Sequence, residues 1–193
     1  MSILVLTSDT LIGTPATGNL EYNGQFFGTD SNASRAQMQR ITQGTAVAST
    51  SGTSIDFTSL PSWIKRITVM FSGVSLSGTA NPLIQIGAGS VTTSGYISSG
   101  AAVAGAGSTG MLSSTAGFVM NSSGAANVVS GHMIITNISG NDWVSSHTTK
   151  RSTTSLALGG GNVSLGAVLT AVRITTDSTD TFDAGSINIL YEG

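Results

Sequence analysis

Short alternations of apolar and polar residues, each cut off by a cluster of Gly, Ser, Asn or Asp, run along most of this 193-residue chain. That pattern constrains the fold more than any other feature, because period two suits a half-buried strand and nothing else. Arg66-Ile67-Thr68-Val69-Met70-Phe71 sets Ile67, Val69 and Phe71 on one face and Arg66, Thr68 and Met70 on the other. Residues 53–58 alternate in the same way. Further strands are expected at 83–86, 95–98, 118–121, 128–138, 143–148, 155–158, 167–175 and 186–191. Turn signals such as Ser122-Ser123-Gly124, Ser139-Gly140-Asn141-Asp142 and Gly159-Gly160-Gly161-Asn162 separate them. Eight to ten short strands so punctuated predict an all-β domain over 44–193, an antiparallel, jelly-roll-like β-sandwich. No strand–helix register appears, which excludes an α/β fold.

Residues 1–43 read differently, as an extended attachment segment. Asn23-Gly24, with Leu20 and Tyr22 before it and Phe26 after it, is a two-residue hairpin signal. Residues 35–40 have helical propensity but are too few to hold a helix, so a linker with at most one helical turn is expected. The apolar pieces here, from Ile3 to Leu6, Leu11-Ile12, Tyr22, Phe26 and Phe27, are too few for a core of their own. Winding three copies together, or docking on another protein, buries them. Leu20, Tyr22, Phe26 and Phe27 are the expected attachment and trimerisation residues. Residues 100–110, almost all Gly, Ala, Ser and Thr, read first as a flexible loop and second as a stretch packed closely by its backbone against a neighbouring subunit.

Composition narrows the function classes. Only 8% of residues are charged, against about 25% in an average soluble domain. In their place stand 25 Gly, 30 Ser and 26 Thr. Mean hydropathy is +0.25, yet no apolar run reaches the roughly 18 residues of a membrane-spanning helix. Seven cations and a net charge of −2 cannot form the basic stripe that phosphate neutralisation needs, so no nucleic-acid partner is expected. There is no Cys, hence no disulfide, thiolate site or cysteine nucleophile. The start, Met1-Ser2-Ile3-Leu4-Val5-Leu6, carries no cation before a very short apolar run. Synthesis in a cytoplasm without a secretory signal is the expectation, which suits a virion component released by lysis.

Catalytic templates fail. Gly105-Ala106-Gly107-Ser108-Thr109-Gly110 matches G-x-G-x-x-G in letters but opens no helix, and no acidic residue stands about 20 positions on. The two histidines, His132 and His147, select no triad or zinc site. His132 reads as a half-buried sheet residue and His147 as a surface-loop residue. Asp177, Asp180 and Asp183 recur every three residues, which fits turn chemistry or, as the sharper alternative, a Ca²⁺ loop. No cofactor or metal is expected, and no enzyme. Trp63 is expected to plug one end of the sandwich. Trp143, after the Gly140-Asn141 turn, either plugs the other end or stacks on a sugar face, and Tyr96 at a loop edge is open to the same stacking role. With Asn141, Asp142 and His147, Trp143 forms the expected ligand-binding group.

Three stretches resemble structural proteins of tailed bacteriophages. Leu20-Glu21-Tyr22-Asn23-Gly24-Gln25-Phe26-Phe27 is similar to a hairpin found near trimeric fibre domains. The second stretch is Trp63-Ile64-Lys65-Arg66-Ile67-Thr68-Val69-Met70-Phe71-Ser72-Gly73-Val74-Ser75, followed by Leu83-Ile84-Gln85-Ile86-Gly87. The third runs from Val172-Arg173-Ile174-Thr175-Thr176 into Phe182-Asp183-Ala184-Gly185-Ser186-Ile187-Asn188-Ile189-Leu190-Tyr191-Glu192. The resemblance implies a β-sandwich module on a virion appendage, a homotrimer with other virion proteins as neighbours and a host cell-surface polysaccharide as ligand. It brings no catalytic residue. Two roles are expected from it: a short tail fibre or receptor-binding appendage, or a capsid decoration (head-fibre) protein anchored by its N-terminal segment. Only about 43 residues precede the sandwich, which favours the second role over a long fibre. A glycan-cleaving enzyme, the third class, finds no paired carboxylates or positioned His.

Overall fold

The computed structural model describes residues 10–23, 25–105 and 110–193, and among them every regular element is a β-strand. The chain divides after Arg40 into two compact units.

In the small unit, β1 (Leu20–Tyr22), β2 (Phe26–Thr29) and β3 (Arg35–Gln37) form an antiparallel sheet in that order. Its hairpin joins Tyr22 opposite Phe26, with ring centroids 5.0 Å apart. Gly24 of the predicted turn, and Ile3 to Leu6, lie outside the described residues. Leu20, Tyr22 and Phe26 share one face of the sheet, whereas Phe27 shares the other with Glu21 and Arg35. There Arg35 grips Glu21 in a two-pronged ion pair (Nε to Oε2 2.7 Å, Nη2 to Oε1 3.1 Å), and the Ile12 N–H donates to Oε1 at 2.8 Å. The helical turn expected within 35–40 is thus replaced by a strand. A lone helical turn leaves most of its amides unpaired, and the free edge of β2 satisfies them instead.

The large unit opens with β4 (Ile41–Gln43), β5 (Val47–Ala48), β6 (Ser54–Phe57), β7 (Arg66–Leu76) and β8 (Pro82–Ala88). Next come β9 (Ser90–Val91), β10 (Ile97–Ala104), β11 (Met111–Ser114) and β12 (Phe118–Val119). It closes with β13 (Val129–Ser139), β14 (Asp142–Lys150), β15 (Ser155–Ser164), β16 (Ala171–Thr176) and β17 (Phe182–Glu192). A nine-stranded sheet runs β11-β10-β15-β14-β13-β7-β17-β4, with β5 also on β17. A five-stranded sheet runs β12-β8-β16-β6, with β9 on β8. All pairings are antiparallel, and the two sheets pack as the predicted β-sandwich. Residues 41–43, read from sequence as the end of the attachment segment, pair with β17 and so form the large sheet's edge.

The core follows from the alternation. Ile67, Val69 and Phe71 of β7, Met133 and Ile135 of β13, and Ile187 and Ile189 of β17 face Ile84, Ile86, Val172 and Ile174 of the smaller sheet. Tyr96, expected at an exposed loop edge, is buried among them. Its hydroxyl donates to the Ile86 carbonyl at 3.1 Å and accepts the Ile86 N–H at 2.8 Å, while the ring meets Phe118 edge-on. Burial pushes its pKa up to about 12. Trp63 packs on Tyr191 with ring centroids 5.8 Å apart.

Two glycine-rich stretches behave contrary to expectation. Gly159-Gly160-Gly161 lies inside β15 instead of forming a turn, and the first part of the low-complexity stretch, Gly100–Ala104, completes β10. Residues 106–109 of that stretch lie outside the described residues. The reason is close packing across strands. A Cβ at Gly159 stands 2.5 Å from the Ser99 carbonyl oxygen and 2.7 Å from the His147 ring, and one at Gly161 stands 2.6 Å from the Ile97 oxygen.

Candidate functional site

The side chains of β14 alternate strictly in burial: Trp143, Ser145, His147 and Thr149 are buried, and Asp142, Ser146, Thr148 and Lys150 are exposed. Trp143, only 3% exposed, is a core residue and presents no ring face to a sugar. His147, 6% exposed, stands between Met133 of β13 and Gly159 of β15, not in a surface loop. Neither of its ring nitrogens has a hydrogen-bond partner among the described residues, and burial lowers its pKa to about 4. Asn141 and Asp142 stay at the β13–β14 turn, engaged locally: the Leu165 N–H donates to the Asn141 carbonyl at 3.0 Å, and the Ser164 hydroxyl donates to Asp142. The expected group of four therefore offers no common ligand surface. His132 is exposed on the outer face of the large sheet and not half-buried.

Asp177, Asp180 and Asp183 do not converge either. Asp177 accepts the Asn81 N–H and Nδ2, both at 2.8 Å; Asp180 accepts the Ala80 N–H at 2.7 Å; Asp183 accepts the Ser75 hydroxyl. Asp177 and Asp180 thus pin the segment between β7 and β8 to the one between β16 and β17, and Asp183 ties β17 to β7, by bonds distant in sequence and not by the local turn bonds that the spacing suggests. Among the described residues no group of three or more potential ligand side chains is placed to hold a metal ion.

A different place gathers polar groups: the end of the sandwich at the β14–β15 turn, Arg151-Ser152-Thr153-Thr154. The turn is held by its own bonds, Arg151 and Ser152 N–H to the Ser155 carbonyl at 3.0 and 3.1 Å and the two serine hydroxyls 2.6 Å apart. The Arg151 carbonyl accepts the Val128 N–H at 3.0 Å, tying the turn to the start of β13. This fixes Arg151 at the wall of a hollow of about 400 Å³, bounded by Ala102 and Ala104 of β10, Met111 and Leu112 of β11, and Asn81, Asn121 and Ser123. Arg151 Nη2 donates to the Ser123 carbonyl at 2.9 Å, and the Asn121 Nδ2 donates to the Gly110 carbonyl at 2.7 Å. Arg151 Nε is buried with no acceptor. The ion pairs among the described residues join Arg35 to Glu21, Arg66 to Glu192 and Arg173 to Asp56; none takes Arg151. A second hollow, about 520 Å³, lies beside the same turn and is bounded by Lys150, Ser152, Thr153, Thr154, Val103 and Leu156. Sequence reading passed over this end, although Lys150-Arg151 is one of only two adjacent cation pairs in a chain with seven cations.

The outer face of the large sheet carries the other notable surface. Register places Met111, Ala101 and Leu158 in one cross-strand row, with Val103 and Leu156 in the next. Met111 is 80% exposed, and Val103, Leu156 and Leu158 are exposed as well. No charged side chain lies within these rows on β10, β11 or β15.

Comparison of the chain with protein-family models, with curated proteins and with solved structures finds no match. The fold and the surfaces define the chain as an all-β sandwich protein with a small, separately compact N-terminal unit.

Proposed function

We propose that this chain is a non-enzymatic structural protein of a tailed-bacteriophage virion, a short tail fibre or receptor-binding appendage that works as a homotrimer and contacts host-surface glycans. The observation that carries the reading is the uncovered outer face formed by β11, β10 and β15. Apolar side chains of this size stay in water on a single chain only at a cost. Within β10, β11 and β15 these rows carry no charge, and the one cation that continues them, Lys150 opposite Leu156 on β14, stands at their rim, so a second copy of the same chain can cover the apolar centre of the face. Covering Met111, Val103, Leu156 and Leu158 is worth on the order of 5 kcal/mol per chain before the entropy of association. The motif resemblance over 20–27 and 60–193 supports the virion setting, and the hydroxyl-rich, nearly neutral surface suits a particle exposed to varied ionic strength.

The separate compactness of the 1–40 unit favours a second reading, a capsid decoration or head-fibre protein that clamps the capsid with that unit. Immunogold electron microscopy of intact particles, with antibody raised against the whole chain, separates the two. Gold on the tail supports adsorption as the function; gold over the head establishes decoration; no gold on particles overturns the virion assignment. Mass measurement in solution gives three chains on the trimer reading, and a monomer at micromolar concentration removes it.

A further inference from the structure

We propose that the hollow at the β14–β15 turn binds an acidic saccharide, with Arg151 holding the sugar's carboxylate or phosphate group. The inference rests on the reading of the sandwich as a glycan-contacting module and supplies the class of glycan. Among the described residues, Arg151 is the only charged one bounding the hollow. A guanidinium has five N–H donors, and one is committed, to the Ser123 carbonyl. No protein acceptor among the described residues is shown for the others, and Nε is buried without one, which is costly. Asp177, which reaches the lining residue Asn81, is spent on it through both oxygens.

The rest of the hollow fits a sugar ring. Ala102, Ala104 and Leu112 offer apolar surface of the kind that covers a ring's C–H groups, while Asn121 and Ser123 bring polar groups for its hydroxyls. The turn that carries Arg151 is fixed by bonds of its own and the guanidinium by the Ser123 carbonyl, which lowers the cost of ordering it on binding. A fork-shaped donor matches a carboxylate or phosphate by two parallel bonds. A neutral sugar leaves that fork unpaired.

The test titrates the whole protein, isotope-labelled, with 3′-sialyllactose (a carboxylate), glucose 6-phosphate (a phosphate) and lactose (neutral), following amide resonances. One acidic probe or both are expected to bind at least about tenfold more tightly than lactose, with the shifts centred on Ala102, Asn121, Ser123 and Arg151. The two acidic arms tell the carboxylate from the phosphate. Arg151→Gln is expected to reduce acidic binding to the lactose level, Arg151→Lys to leave a weakened affinity, and Arg173→Gln, at a distant ion pair, to change nothing. Shifts centred elsewhere overturn the site whether or not the variants fold. Equal binding of all three probes, unaffected by Arg151→Gln, overturns the acidic class but leaves the glycan-contacting function standing. No binding of any probe overturns the site, and cell adsorption by particles then decides the broader reading separately.

Discussion

His147 makes the stability of the sandwich depend on pH in a window that can be stated in advance. Unfolded, its imidazole takes up a proton near pH 6.5; folded, burial holds the pKa at about 4. Between those values the unfolded chain binds the extra proton, so acidification favours unfolding. The contribution of the neutral ring is complete above about pH 6.5, falls away toward pH 4, and loses nothing more below that. At about 1.4 kcal/mol per pH unit the loss comes to about 3 kcal/mol, or roughly 6–12 °C in Tm for a chain of this size. Surroundings give no relief: the ring lies between Met133 and Gly159, and both nitrogens lack partners. The perturbation is His147→Met, similar in volume, flexible enough to pass Gly159, and unable to titrate. Urea unfolding of both proteins at pH 7, 5.5 and 4, at one protein concentration, reads the difference directly. The variant should be at least as stable at pH 7, since it removes two unpartnered polar atoms. Its advantage should grow by about 3 kcal/mol at pH 4. If both proteins lose stability in parallel from pH 7 to pH 4, the buried, neutral His147 is wrong.

Two further outcomes follow from the same packing. Trp143→Ala, which a surface ligand role allows without harm, should instead cost about 3–5 kcal/mol by emptying a core position; thermal unfolding by circular dichroism shows it as a large fall in Tm. Gly159→Ala forces a Cβ against the Ser99 carbonyl and the His147 ring and should cost about 2–3 kcal/mol, with only partial recovery in the double variant with His147→Ala, because the backbone oxygen remains; a double-mutant cycle measures this.

The legible part of the fold was the part whose inward face is apolar. Ile67, Val69 and Phe71 announce β7, and Ile187 and Ile189 announce β17, because alternate positions differ in chemistry as well as direction. In β14 the inward positions are Trp143, Ser145, His147 and Thr149, and the outward ones include Ser146 and Thr148. Both faces are polar by composition, so period two gives no inside, and Trp143 beside a turn reads as a rim residue. Gly159 to Gly161 mislead for a related reason. Glycine signals a turn locally, but here the missing Cβ makes room for His147, Ser98 and the β10 backbone, which are distant in sequence. Residues 35–37 were misassigned because helix propensity over six residues is weaker than one free strand edge. Arg151 was missed since a cation that joins no ion pair among the described residues is recognised only from the positions of the carboxylates in the fold.

The place of β17 in the large sheet has a consequence for how the protein comes into being. This strand, residues 182–192, separates β7 from β4 and β5, and the Arg66–Glu192 ion pair at 2.6 Å joins one of its ends to β7. Residues 41–48 and 66–76 therefore wait for a partner that leaves the ribosome more than 100 residues later. At about 5–20 residues per second that interval lasts several seconds or more. Throughout it β7 shows one open edge and part of an unfilled core, since Phe182, Ile187 and Ile189 are still to come. Closure of the sandwich is thus a late, long-range event, and a chain interrupted before residue 182 leaves β7 as an open edge, with β4 and β5 unattached.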